Sequence, residues 1–292
     1  ITLSFALKQS NPTELERQFH RISNPNDVSY RQFLSLEQIS ALTRASQEAI
    51  DAVSEFVSSF GAEFTVATTG DWLTTTVPVR IAERMLQIKY RMVTHSETNT
   101  CLCRSLDAYS LPSDVAKHID LVGGVSRIPQ IRRALRKTEN VGDDTMITPD
   151  VVKKEAEITV TGSGSTKSIQ AVAQFLKQYY DPKDLALFQQ KFNVPSQTVA
   201  KVVGPNDATD PGDEASLDIE YIIGTANGVD TWFYSTAGLH EGQEPFLEWA
   251  TAVNNAPTIP HTISVSYGDT ESSITPSYTL RVNTEFIKLG SR

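Results

Sequence analysis

The stretch Asp213-Glu214-Ala215-Ser216-Leu217-Asp218-Ile219-Glu220-Tyr221-Ile222 decides how the second half of the chain is read. Glu214 and Asp218 are four residues apart, as are Leu217 and Tyr221, so one helical turn stacks each pair on one face. With Ile222 the apolar pair makes a stripe beside an acidic one, the pattern of a helix half buried in a domain. Strand-like runs flank it at Thr198–Val203, which is β-branched, and at Val229–Tyr234. Upstream, Asp181-Pro182 starts a helix with Leu185, Leu187, Phe188 and Phe192. Downstream, Glu244–Val253 reads as a helix, His261–Tyr267 as a strand, and Pro276–Leu289 as a helix aligning Val282, Phe286 and Leu289. Strands alternating with helices at this spacing predict a parallel α/β sheet. Ile169–Leu176 fits a helix or a buried strand, and Thr148-Pro149-Asp150 caps one more helix.

The first half has a different grain. Residues 1–8 alternate, with Leu3, Phe5 and Leu7 on one face of a half-buried strand. Asn11-Pro12 caps a helix with Leu15, Phe19 and Ile22. Ser35 with Gln38 forms a capping box, and Ile50, Val53, Phe56 and Val57 mark a helix ended by Gly61. Glu63–Thr68, Leu73–Val79 and Arg91–Thr94 are β-rich, with a helical stretch at Ile81–Ile88. This mixture suits a small sheet covered on one face by helices. Residues 128–140 are basic and poor in large apolar side chains, which reads as a linker.

At 292 residues and 39% hydrophobic composition the chain can bury one large core or two modest ones. No run approaches the roughly 18 apolar residues of a membrane span. The net charge of −9 lies mostly in residues 148–292, with 10 basic and 18 acidic side chains. Nucleic acid is excluded as a partner there, because phosphate binding needs a cationic surface. Carboxylates lose their mutual repulsion as pH falls, so this half suits an acid-working protein. Cys101 and Cys103 are too close for an unstrained disulfide, and no second pair completes a zinc site near His95. The chain has no Asn-x-Ser/Thr sequon with a non-proline middle residue.

Several runs carry a resemblance in chain order: Leu121-Val122-Gly123-Gly124, Thr148-Pro149-Asp150-Val151-Val152, Gln174-Phe175-Leu176-Lys177-Gln178-Tyr179-Tyr180, Glu214 to Tyr221, His240 to Trp249, Val265-Ser266-Tyr267-Gly268-Asp269 and Arg281-Val282-Asn283-Thr284-Glu285. Together they resemble the sedolisin family of serine-carboxyl peptidases, its lysosomal tripeptide-releasing members in particular. The resemblance implies an α/β architecture. Residues 1–127 would be a small α+β activation prosegment, 128–147 a linker with the processing site, and 148–292 the first part of a subtilisin-like parallel-sheet domain. It implies hydrolysis of peptides from their free N-termini at acid pH in the lysosome. The prosegment would sit against its own catalytic domain.

By the same resemblance Glu214 is the general base toward a nucleophilic serine and Asp218 the acid that orients it. Two neighbouring carboxylates cannot both ionise cheaply and so share a proton, which suits pH values where a histidine base would already be charged. Ser266, Tyr267 and Gly268 would pair with an extended peptide substrate, and Asp269 would meet its ammonium group or cap a turn. The family's Gly-Thr-Ser nucleophile motif and Ser-Gly-Asp-Ser-Gly oxyanion motif are not among these residues, so the chain as given is expected to be inactive alone. No metal ligands are expected in it, and the family's calcium is expected to bind further downstream. The rival expectation is a short, non-catalytic relative in which the prosegment acts as a binding or inhibitory module.

Overall fold

The computed structural model describes residues 1–94, 101–126, 146–159, 168–236, 245–268 and 274–292. The linker expected at 128–147 falls almost wholly outside them. The chain divides into two compact units that do not follow its order. Residues 1–129, 240–257 and 270–292 form one, and residues 130–239 and 258–269 form the other.

In the first unit, β1 (Thr2–Leu7) leads to α1 (Pro12–Ser23), α2 (Leu36–Thr43) and α3 (Gln47–Ser58). Their starts follow from local chemistry. The Asn11 side chain accepts from the Glu14 N–H, Ser35 and Gln38 close both bonds of a capping box, and Ser46 accepts from the Ala49 N–H. Then come β2 (Thr65–Val66), β3 (Trp72–Thr76), α4 (Val79–Leu86), the β4–β5 hairpin (Arg91–Thr94 and Cys101–Arg104), α5 (Ser113–Ala116) and β6 (Ile119–Gly123). Cys101 and Cys103 form no disulfide. The sheet is antiparallel in the order β2-β3-β1-β6.

One face of that sheet presents Leu3, Phe5, Leu7, Leu73 and Val122 to Val53 and Val57 of α3 and to Ala82, Met85 and Leu86 of α4. This is the single covered face expected from the sequence. The other face is covered too, because it carries Ala6, Trp72 and Leu121 at the alternate strand positions, and these are buried with Leu247 and Tyr278. Those two residues lie far along the chain, on helices whose expected place was the second domain.

The second unit runs α6 (Pro149–Glu155), β7 (Ile169–Gln174), α7 (Pro182–Lys191), β8 (Lys201–Val203), α8 (Asp213–Thr225) and β9 (Asp230–Ser235). The chain then passes through α9 (Pro245–Asn254) to β10 (Thr262–Ser264) and ends in α10 (Pro276–Ser291). The sheet order is β10-β7-β9-β8 and every pairing is parallel, as the alternation of elements predicts. Ile169–Gln174 is thereby settled as a strand, since its apolar side chains are wanted on both faces of a covered sheet. Leu185, Ala215, Ile219 and Ile223 pack over Val172 and Phe233. The α8 stripe is therefore Ala215, Ile219 and Ile223, and Leu217, read from sequence as part of it, is 49% exposed.

Gly124 follows β6 with φ +94°, and a Cβ there would overlap the carbonyl oxygen of Thr2. Only glycine permits both the left-handed backbone and the close approach. Gly124→Ala is expected to destabilise the first unit by about 2 kcal/mol or more, read as a lowered midpoint in urea unfolding followed by Trp72 fluorescence.

Candidate active site

Helix α8 descends from the carboxyl edge of the parallel sheet, so its first turn, with Glu214, lies at that edge. This is where ligands bind in open α/β sheets. Three glutamines at four-residue intervals hold it there. Gln170, at the start of β7, donates to Thr231 Oγ1 at 3.0 Å and to the carbonyls of Ile222 and Ala226 at 3.4 Å, fixing the C-terminal end of the helix. Gln174, the last residue of β7, donates through Nε2 to Asp218 Oδ2 at 2.6 Å. The cap residue of α8 is Gly212, which has no side chain, and Gln178 supplies the missing acceptor by taking the Glu214 N–H at 3.2 Å. The Gln178 loop is tightly set, with Leu176 and Lys177 both in left-handed conformations.

Gln174 is fully buried, and both ends of its amide are used: its Oε1 accepts from the Tyr267 hydroxyl at 2.8 Å. The Tyr267 ring meets Phe175 edge-on, with centroids 5.0 Å apart. A chain of side-chain contacts therefore runs Tyr267–Gln174–Asp218, from the segment after β10 to the acidic helix. Tyr267 is half-buried, and Ser266 and Gly268 are exposed. The strand expected over His261–Tyr267 closes at Ser264, so Ser266, Tyr267 and Gly268 lie beyond it. Asp269 lies outside the described residues.

Glu214 and Asp218 are each half-buried, one turn apart. Burial pushes the Asp218 carboxyl above its ordinary range, the Gln174 bond pulls it partway back, and the negative charge of Glu214 raises it again. The charge of Glu214 therefore acts on Asp218 in the same direction as burial. On the next turn Glu220 is pushed up to about 7, mainly by burial and then by Asp184 of α7. Gln174 and Gln178 stand in a run that carries the resemblance, but the sequence reading gives neither a role at the acid pair. Their one local signal is a polar residue closing an apolar strand.

An antiparallel α+β module ahead of a parallel α/β sheet, with carboxylates at the carboxyl edge of that sheet, is the layout of a peptidase zymogen of the subtilisin-like class. Residues 1–128 match the family model described as Pro-kumamolisin, activation domain. The whole chain is 36% identical over 330 aligned residues to the Tripeptidyl-peptidase 1 of Dictyostelium discoideum, covering 55% of it. It is 38% identical to that of Canis lupus familiaris and 37% to that of Homo sapiens, covering 54% of each. The chain belongs to the sedolisin family, with an activation prosegment and part of the catalytic domain. It spans about half the length of the curated relatives it matches. Among the described residues no group of three or more His, Cys, Asp and Glu side chains converges to hold a metal ion, and no helix is long and apolar enough to cross a membrane.

Between the unfolded value of 4.5 and the folded value of about 7, Glu220 keeps a proton in the native state that the unfolded chain has lost. Its contribution therefore makes stability rise as pH falls through that window. Urea unfolding at pH 7.5 and pH 5 is expected to show a larger gain toward acid in the wild type than in Glu220→Gln. Equal gains would remove Glu220 from this account.

Proposed function

We propose that this chain is the activation prosegment and leading catalytic half of a serine-carboxyl exopeptidase that removes tripeptides from free peptide N-termini at acid pH, in the lysosome. The observation that carries the reading is the anchoring of Asp218 by a buried glutamine, itself bound by Tyr267, one turn from Glu214. In this reading Glu214 accepts the proton of a serine hydroxyl supplied by the downstream half. Serine needs such a base because its hydroxyl is a weak nucleophile. Asp218, its carboxyl raised by burial, shares a proton with Glu214, which orients the base and limits repulsion within the pair.

The backbone from Val265 through Gly268 follows directly on β10, an edge strand that pairs with β7 alone among the described residues. A peptide laid along that edge would be held by main-chain bonds that do not read its sequence. Asp269 is carried over from the family resemblance alone, as a group for the substrate ammonium or a cap of the turn. The calcium of this reading has its ligands outside these residues, and no step here passes through it. Residues 1–128 restrain the enzyme until the segment 128–147 is cut.

In a longer chain that carries the downstream serine, Glu214→Gln is expected to lower kcat by about 10²-fold or more with KM little changed, as for the loss of an acid–base group. Asp218→Asn should be similarly severe. Steady-state kinetics on a tripeptide–fluorophore substrate at pH 4 to 6 reads both. Activity of Glu214→Gln within about tenfold of wild type would reject the assignment.

A further inference from the structure

Inside the first unit, one residue pair of the prosegment sheet is seated in a set of side chains on α10. Asp71, fully buried, lies between two cations: its Oδ2 is 2.5 Å from Lys288 Nζ and 2.6 Å from Arg281 Nη2. Glu285 Oε1 in turn accepts from Lys288 at 2.8 Å and from the Trp72 indole N–H at 2.9 Å. Asn254 of α9 donates to the other oxygen of Glu285 at 2.8 Å.

The Arg281 guanidinium lies over the Trp72 ring, 4.7 Å from its centroid, and also binds the Asp71 carbonyl at 3.0 Å. Asp120 of β6 stands 3.5 Å from it, and Gln9 donates to Asp71 at 2.6 Å. Arg281, Glu285 and Lys288 fall at intervals of four and three along α10, so positive, negative and positive groups line one helix face. Lys288, Glu285 and Asp71 are fully excluded from water, and Arg281 is 4% exposed.

We infer that Asp71-Trp72 is the recognition element of the activation domain and that Arg281, Glu285 and Lys288 of α10 are its receptor, so that the domain stays bound after the connecting segment is cut and leaves only when this ionic cluster is broken. The inference rests on the reading of residues 1–128 as a releasable prosegment and names the chemistry that retains it. The receptor is specific for a carboxylate followed by an indole. A carboxylate alone leaves Glu285 without its N–H donor, and an indole alone leaves two buried cations facing one anion. Breaking one member of such a cluster is costly because the others remain buried and unpaired.

The test uses the full chain with residues 132–137 replaced by a site-specific protease recognition sequence. After cutting at pH 7, release of the N-terminal piece is timed by size-exclusion chromatography and by exchange against a labelled chain. In the parent chain the pieces should remain together. Asp71→Asn is expected to speed release about a hundredfold or more, and Trp72→Phe, which removes the bond to Glu285 and part of the ring beneath Arg281, about tenfold. Lys288→Met added to Asp71→Asn should recover part of the loss, because it deletes the stranded charge.

Glu48→Gln, at the solvent-exposed pair with Lys117, should leave release unchanged. Prompt separation of the parent pieces, or release of Asp71→Asn at the parent rate, would overturn the inference. If Asp71→Asn does not fold, the rate for Trp72→Phe decides. Failure of the prosegment reading shows separately, as activity that is already full in the longer chain before the piece departs.

Discussion

Four charges without water hold the first unit together, and their arithmetic constrains everything around them. Asp71 and Glu285 balance Arg281 and Lys288, and each makes more than one bond to the others or to Trp72, Asn254 and Gln9. Desolvating such ions costs several kcal/mol apiece, which only close pairing and complete hydrogen bonding offset. The cluster therefore forms only when β3 and α10 are both in place. A fold nucleated from residues 1–126 alone would leave Asp71, Trp72 and the Ala6–Leu121 face exposed. Burial alone would raise the Asp71 carboxyl, but the charges of Lys288 and Arg281 outweigh it and hold it below the usual range. A group lowered in this way keeps its stabilising charge through mildly acid solution and loses it only as pH falls through its folded value. Whatever acid does to this protein between neutral and mildly acid pH, it does first elsewhere.

Acid acts instead on carboxyls that burial raises. Asp218, Glu220 and, on α9 of the first unit, Glu248 are all raised by burial. These carboxyls are shifted toward holding protons, whereas Asp71 is shifted toward losing its own. The two sets shift in opposite directions for one reason: Asp71 has cations at contact distance, while Asp218 and Glu220 have an amide or another carboxylate.

Most of the elements were legible because their causes are local. Asn11-Pro12, Ser35 with Gln38, Thr148-Pro149 and Asp181-Pro182 each mark a helix start within about four residues, and α1, α2, α6 and α7 begin there. What the sequence hid is long-range. Arg281, Glu285 and Lys288 look like the solvated face of a helix, and nothing nearby says that Asp71 and Trp72, some 210 residues away, make it an interior. For the same reason the strands Cys101–Arg104 and Ile119–Gly123 are visible only once paired with Arg91–Thr94 and β1. In α8 the acidic pair was legible from its spacing. The buried stripe was not, because Leu217 and Ile219 are equally apolar and only the sheet beneath distinguishes them.

The acid pair itself is shaped less by its own two residues than by what reaches them. Glu214 and Asp218 have the same chemistry and lie on the same helix, yet among the described residues only Asp218 has its carboxylate bound by a fully buried partner. Gln174 can donate to a carboxylate oxygen but cannot supply charge, so it orients Asp218 without neutralising it and leaves burial as the dominant influence on its proton. A cation at that position would have pulled the carboxyl down, as Lys288 and Arg281 do at Asp71. The neutral amide instead fixes the position of Asp218 and leaves its carboxyl raised, so the same residue type is shifted in opposite directions by what reaches it.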